Sequence, residues 1–184
     1  GEVYSFGRNY SGQLGLGNTQ DMNTPQLIPQ SAFNNEKVNM IAVGDDHSLA
    51  YTDKGNVFTW GYNYKGQLGI GENISNRRKT PTLLNTNHFN NEKIVQLDAG
   101  CGDDSHSIAV TANGNVYVWG CNKDYQLGTG NDNDRYSPTL LKYEDLQNNV
   151  ERVSAAIFHT LFLFKDGKVF ACGKNDYNQL GLYE

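Results

Sequence analysis

Short segments along the chain place apolar side chains on both sides of an extended backbone. In "NVFTWG" (56–61), Val57 and Thr59 point one way, and Phe58 and Trp60 point the other. "NVYVWG" (115–120) sets Val116 and Val118 against Tyr117 and Trp119 in the same manner. Strands with two substantially apolar faces are expected to be covered by protein on both. Each is preceded by another apolar run, "HSLAYT" or "HSIAVT", and the two are joined by "DKG" or "ANG". The glycine in these turns supplies positive φ at little steric cost, so each pair reads as a hairpin. In the best-marked segment the predicted strands are Val38 to Val43, Ser48 to Thr52, Asn56 to Trp60 and Thr80 to Leu84.

The hairpin belongs to a longer repeat. "GEVYSFGRNYSGQLGLG" starts at Gly1, "GNVFTWGYNYKGQLGIG" at Gly55, "GNVYVWGCNKDYQLGTG" at Gly114 and "GKVFACGKNDYNQLGLY" at Gly167, at intervals of 54, 59 and 53 residues. The glutamine of each QLG (Gln13, Gln67, Gln126, Gln179) always lies 12 residues after the opening glycine. His47, His106 and His159 always lie 8 residues before the next one. Pro25, Pro81 and Pro138 follow their glutamines by 12, 14 and 12 residues, so the long copy carries two extra residues there and, relative to the first copy, three more between Pro81 and His106. Four short strands per period, buried on both faces and repeated, predict a β-propeller. The repeats run approximately over 1–54, 55–113, 114–166 and an incomplete 167–184, within a single domain.

Composition narrows the function classes. The net charge of −5 opposes broad electrostatic binding of nucleic acid by this segment. The three cysteines (Cys101, Cys121 and Cys172) form no CxxC and are odd in number, so neither a zinc site nor a disulfide framework is expected, and a reducing intracellular compartment is the simplest setting. No apolar run approaches the length of a membrane span, and no signal-peptide pattern opens the chain.

The order His-Ser-Leu/Ile-Ala, Asp/Asn-Gly-x-Val-Tyr/Phe-x-Trp-Gly, Asn, Gly-Gln-Leu-Gly-x-Gly, then Pro resembles the RCC1 (regulator of chromosome condensation) repeat family across essentially the whole chain. The resemblance implies an all-β propeller of four-stranded blades. About three full repeats and the start of a fourth are present, part of a ring usually seven-bladed that needs about 380 residues. Missing blades or another subunit are therefore expected to complete the ring. The later copies depart from the pattern. Tyr125 and Asn178 replace the glycine before QLG, Phe6 and Cys172 replace the tryptophan, and Ala156 replaces Gly44.

Each chemically suggestive motif has a structural alternative. "DDHS" and "DDSHS" mimic an Asp/His/Ser constellation, yet His recurs at one position per repeat and the third copy reads Phe158-His159-Thr160, with no adjacent acid. The histidines are expected to tie backbone segments together, and one per blade is too dispersed to ring a metal. "GYNYKGQLGIG" lacks the Lys-Ser/Thr ending and the following helix of a phosphate loop. Lys65 is not held by the repeat and reads as surface. Asn9, Asn63, Asn122 and Asn175 suit Asx turns or left-handed positions and read as loop-shaping. "NDNDRY" (131–136) lacks the later Gly and Glu of a calcium loop. "NHFNNEK" echoes "SAFNNEK", while "YEDLQNN" fills that slot in the third copy and reads as a short helical turn.

Function is expected where the repeat is broken. "ENISNRRKT" (72–80) carries Arg77, Arg78 and Lys79, which can grip carboxylate or phosphate. "AGCGDDSH" (99–106) offers Asp103 and Asp104 to a basic partner, and Arg135 sits in the loop equivalent to the first. Trp60, Trp119, the histidines and the QLG glutamines read as structural repeat positions. The leading reading is a non-enzymatic protein-interaction scaffold with no catalytic residues, cofactor or metal. The resemblance implies as alternatives guanine-nucleotide exchange on a Ran-like small GTPase, or the propeller module of a larger ubiquitin ligase or of a ciliary or trafficking protein. An ultraviolet photoreceptor needs clustered tryptophans, and the chain has only Trp60 and Trp119. The expected location is cytoplasmic or nuclear, and the family is also compatible with a cytoskeletal or ciliary association.

Overall fold

The computed structural model describes residues 1–71, 77–84, 86–143 and 148–182. Antiparallel sheets follow one another along the chain. β1 (Val3–Gly7) pairs with β2 (Met22–Ile28). β3 (Val38–Val43), β4 (His47–Thr52), β5 (Val57–Gly61) and β6 (Arg78–Leu83) form the first four-stranded blade in sequential order. β7 (Ile94–Ala99), β8 (His106–Thr111), β9 (Val116–Gly120) and β10 (Arg135–Leu140) form the second. β11 (Val150–Ala155), β12 (His159–Phe164) and β13 (Val169–Gly173) form a three-stranded third sheet. The strands expected from sequence in the first blade match within two residues at either end. Blade and sequence period are out of phase. β3 and β4 close one sequence repeat, and β5 and β6 open the next, so each repeat contributes strands to two neighbouring blades.

The two-sided apolar pattern has a direct outcome. Phe58 and Trp60 enter a core with Ile28, Phe33, Val38 and Ala50, between the leading pair and the first blade. Val57, from the opposite side of β5, enters the next core with Leu49, Tyr51, Ile94, Tyr117 and Trp119. Val116 and Val118 enter a third with Val150, Val153, Phe162 and Phe164. Each middle strand thus divides its side chains by parity between two junctions, and β4, β5, β8 and β9 are buried throughout. The echoed FNNEK segments each follow a 3₁₀ turn, Gln30–Phe33 and Thr86–Phe89, that ends on their phenylalanine. Phe33 meets Phe58 edge-on at 5.5 Å, and Phe89 meets Tyr117 at 5.2 Å. Asn34, Asn35, Asn90 and Asn91 take left-handed φ of 51–61°, a conformation that Asn tolerates better than most residues. The helical turn expected in "YEDLQNN" falls largely on residues 144–147, outside the described residues.

The glycine that ends each third strand is required by close approach. A Cβ at Gly61 would lie 2.3 Å from the Asp46 carbonyl oxygen, and one at Gly173 would lie 2.3 Å from that of Phe158. Those carbonyls accept the amides of Tyr62 and Lys174, which pins the loop after each third strand against the loop before the second. All these loops gather at one end of the blades.

At the outer limits the packing thins. Tyr4, Phe6, Ile41 and Val43 are exposed beside the leading pair, and Val169 and Phe170 are exposed on β13. Among the described residues, no helix is long and apolar enough to cross a membrane.

Candidate partner-binding face

The histidine, glutamine and tryptophan positions converge between blades rather than in a pocket. The Gln67 carbonyl oxygen accepts hydrogen bonds from Ser107 Oγ (2.8 Å) and Trp119 Nε1 (2.9 Å), both in the second blade. Ser107 Oγ lies 2.9 Å from His47 Nε2 of the first blade. Because the hydroxyl proton goes to Gln67, His47 carries its proton on Nε2 and donates to Ser107. His47 Nδ1 then accepts from Ser105 Oγ at 3.4 Å. The next junction repeats the chain of bonds. His106 Nε2 donates to Thr160 Oγ1 (2.7 Å), which donates to the Gln126 carbonyl (2.6 Å), with Cys172 Sγ at 3.5 Å in the tryptophan's place. At the leading junction Ser48 Oγ and Trp60 Nε1 reach the Gln13 carbonyl at 2.9 and 2.8 Å. The glutamine side chains tighten their own loops. Their Oε1 atoms accept the amides of Ser11, Lys65, Asp124 and Tyr177 at 2.9–3.0 Å, the last being the bond made by Gln179. Asn9, Asn63, Asn122 and Asn175 accept the amides of Leu14, Leu68, Leu127 and Leu180.

This geometry has no hydrolytic use. His47 and Ser107 are fully buried, the serine proton is committed to a carbonyl, and the imidazole's other nitrogen faces a serine rather than a carboxylate. Burial lowers the His47 pKa to about 4 against the opposing pull of Asp45. Burial and the neighbouring His47 and His159 lower His106 to about 3. Both rings are therefore neutral near pH 7. Burial also pushes the thiols of Cys121 and Cys172 up to about 11 and about 12, far from the thiolate that nucleophilic or metal chemistry needs. No cluster of metal-binding side chains occurs among the described residues.

The second junction is fastened differently from the first. Phe158 stands where Ser105 stands in the preceding copy, so His106 Nδ1 is buried without a partner. On the first strands of these two sheets, Gln96 compensates. Its amide bonds both the carbonyl (2.7 Å) and the N–H (3.0 Å) of Val153, and Asp98 accepts the amide of Ala155 at 2.8 Å. Met40 and Ala42 occupy the equivalent places on β3.

The charged candidates lie with the loops at one end of the blades. Arg77 is exposed, with its guanidinium 4.4 Å from the Tyr10 ring centroid and Nη1 donating to the Tyr10 carbonyl at 3.2 Å. Arg78 and Arg135 begin β6 and β10 opposite Gly61 and Gly120. Arg135 is locked within its loop by bonds to Asn131 Oδ1 and the Asn133 carbonyl. Lys79 is exposed, and its carbonyl accepts the Gly17 amide. Asp104 pairs with Lys123, whereas Asp103 is exposed and without an ion pair among the described residues. Residues 72–76 of the basic loop lie outside the described residues. Lys65, read from sequence as surface, is half-buried and paired with Asp134 at 3.5 Å. A polar cleft of about 400 Å³ brings Asp103 together with Arg8, Asp45, Asp46 and Gly102. Sequence reasoning missed the tyrosines here. Tyr10 and Tyr64 sit one repeat apart at matching positions, and Tyr62 stacks on Tyr64 at 6.2 Å with an interplanar angle of 19°.

The family model for the RCC1-like domain matches residues 1–184. The chain belongs to the RCC1-like domain family. Its sequence is 36% identical over 183 residues to the ultraviolet-B receptor UVR8 of Arabidopsis thaliana, covering 99% of this chain and 39% of that protein. It is 35% identical over 186 residues to the human E3 ubiquitin-protein ligase HERC2, covering 98% of this chain and 4% of that one. Among solved structures, Prp20p of Saccharomyces cerevisiae superposes with a TM-score of 0.83 at 28% identity, covering all of this chain and 43% of that one. Human WBSCR16 superposes at 0.81 and 26% identity, covering 98% and 45%. The RCC1-like chain spans less than half the length of each of these relatives. The all-β propeller architecture of four-stranded blades is shared with its RCC1 neighbours, and the ring is incomplete in this segment.

Proposed function

We propose that this RCC1-like chain is a non-enzymatic module that binds protein partners through the loop end carrying Arg77, Arg78, Lys79, Asp103 and Asp104. One observation carries the reading. The groups that imitate catalytic machinery are buried and consumed in blade-to-blade bonds, whereas exposed tyrosines gather at that end with the exposed side chains of Arg77, Lys79 and Asp103. Exposed Tyr and Arg are the residue types enriched at protein interfaces. The whole protein resides in the cytoplasm or nucleus, with further blades or another subunit completing the ring. Photoreception does not follow from the relation to UVR8, because Trp60 and Trp119 are buried in separate cores and bonded to carbonyls. The test is triple charge reversal, Arg77→Glu, Arg78→Glu and Lys79→Glu. Partners cross-linked to the parent protein are expected to be lost, and an unchanged set clears the basic loop of the role.

A second reading is nucleotide exchange on a small GTPase. It is supported by the likeness to Prp20p, whose structure is described together with its binding to Gsp1p and histones. Nucleotide release from a purified Gsp1p-like GTPase should accelerate with micromolar full-length protein. An unchanged rate removes this reading and leaves the interaction module standing.

A further inference from the structure

Two copies of one loop, a single repeat apart, differ in what covers their tyrosine. In the first, Arg77 lies over the Tyr10 ring at 4.4 Å and donates to that residue's carbonyl at 3.2 Å. The strand registers put Arg78 opposite Gly61 and Arg135 opposite Gly120, so Arg77 and Asp134 hold the same place in successive blades. Where the first copy has an arginine, the second therefore has a carboxylate, and that carboxylate is turned to Lys65. Tyr64, the counterpart of Tyr10, is left 62% exposed with no cation over its ring among the described residues. Its carbonyl, the counterpart of the one that receives Arg77, accepts no hydrogen bond among those residues.

The vacant copy is better furnished than the filled one. Tyr62 stacks beside Tyr64 at 6.2 Å and 19°, where the first copy has Arg8. Asp103 projects exposed from the insertion nearby. The Tyr62 hydroxyl is raised by burial first and then by the negative charge of Asp103, against the opposing pull of Arg77, so the carboxylate and the Arg77 guanidinium both lie within electrostatic reach of the ring. A flat cation prefers the face of stacked phenol rings with an anion at its edge, and a guanidinium also brings forked donors for a carbonyl and a carboxylate.

We propose that the Tyr62–Tyr64 pair, with Asp103 and the Tyr64 carbonyl, is a cradle for an arginine side chain presented by a protein partner. Arg77 on Tyr10 shows within this chain how the loop receives such a group. The proposal rests on the interaction-module reading and specifies the chemistry of the partner at one point.

The test uses the purified protein labelled with fluorotyrosine and followed by fluorine NMR, with signals assigned through Tyr62→Phe and Tyr64→Phe. The probes are acetylated, amidated Gly-Arg-Gly and its lysine and citrulline counterparts. The arginine peptide should shift both signals and saturate at roughly millimolar concentration, lysine should bind about tenfold more weakly, and citrulline should leave both signals unmoved. Tyr64→Ala should abolish binding, Tyr64→Phe should retain it and Asp103→Asn should weaken it several-fold. Tyr64 is exposed, so its variants should fold. Equal binding of citrulline and arginine, or full binding by Tyr64→Ala, overturns the cradle. If the arginine peptide shifts neither signal while triple reversal at Arg77, Arg78 and Lys79 still releases partners, the cradle is refuted and the module stands.

Discussion

Ser107→Ala tests whether the chain of hydrogen bonds from His47 holds two blades together. The substitution removes one buried oxygen and leaves almost no void. The Gln67 carbonyl keeps the Trp119 indole, so the loss falls on His47, whose Nε2–H then points at a methyl group. A buried donor without an acceptor costs about 1–3 kcal/mol, and the bond from Ser107 to Gln67 adds about 1. The expected destabilisation is thus about 2–4 kcal/mol. With a urea m-value of roughly 2–3 kcal/mol/M, the unfolding midpoint should fall by about 1 M. Ser107→Thr is the matched control, because Thr160 fills this role one junction later with bonds of 2.7 and 2.6 Å. It should retain most of the stability. A midpoint unchanged in Ser107→Ala, or equal losses in the alanine and threonine variants, would refute the account.

Two further outcomes are expected. His47 and His106 have folded pKa values of about 4 and about 3, below the ordinary value of 6.5, so the unfolded chain binds their protons first and stability falls as pH drops below about 6.5. Each contributes a slope approaching 1.4 kcal/mol per pH unit until its folded pKa is reached, which amounts to on the order of 3 kcal/mol for His47 by pH 4. Urea midpoints between pH 4.5 and 6.5 should show this loss, His106→Gln should roughly halve the slope, and a flat profile in the parent protein would contradict neutral burial. Separately, Gln96→Ala removes the bonded partner of the Val153 amide, worth about 2 kcal/mol, so that amide should exchange hydrogen roughly 30-fold faster while the Ala155 amide on Asp98 stays protected. Equal protection of the Val153 amide in the parent protein and in Gln96→Ala would show that Gln96 does not fasten β11.

The repeat made the fold legible because the two middle strands of successive four-stranded blades reproduce the same burial. Phe58, Trp60, Tyr117 and Trp119 recur at fixed spacing, and parity alone assigned them to one side of their strands. What parity could not supply was the partner across the junction. His47 bonds a serine 60 residues away, and the tautomer follows only after the hydroxyl proton has been traced to Gln67. The proposed partner-binding end was less legible for a related reason. Arg77, Asp103 and Asp104 stood out as interruptions of the repeat, whereas Tyr10 and Tyr64 obeyed it and drew no notice. Their difference lies in Arg77 and Asp134, residues of unlike type whose equivalence appears only through the strand registers. In a repeat protein a residue that matches its counterpart can still differ in what surrounds it. The informative comparison is between environments at matching positions, and here it separates a tyrosine already holding an arginine from one that is open to another.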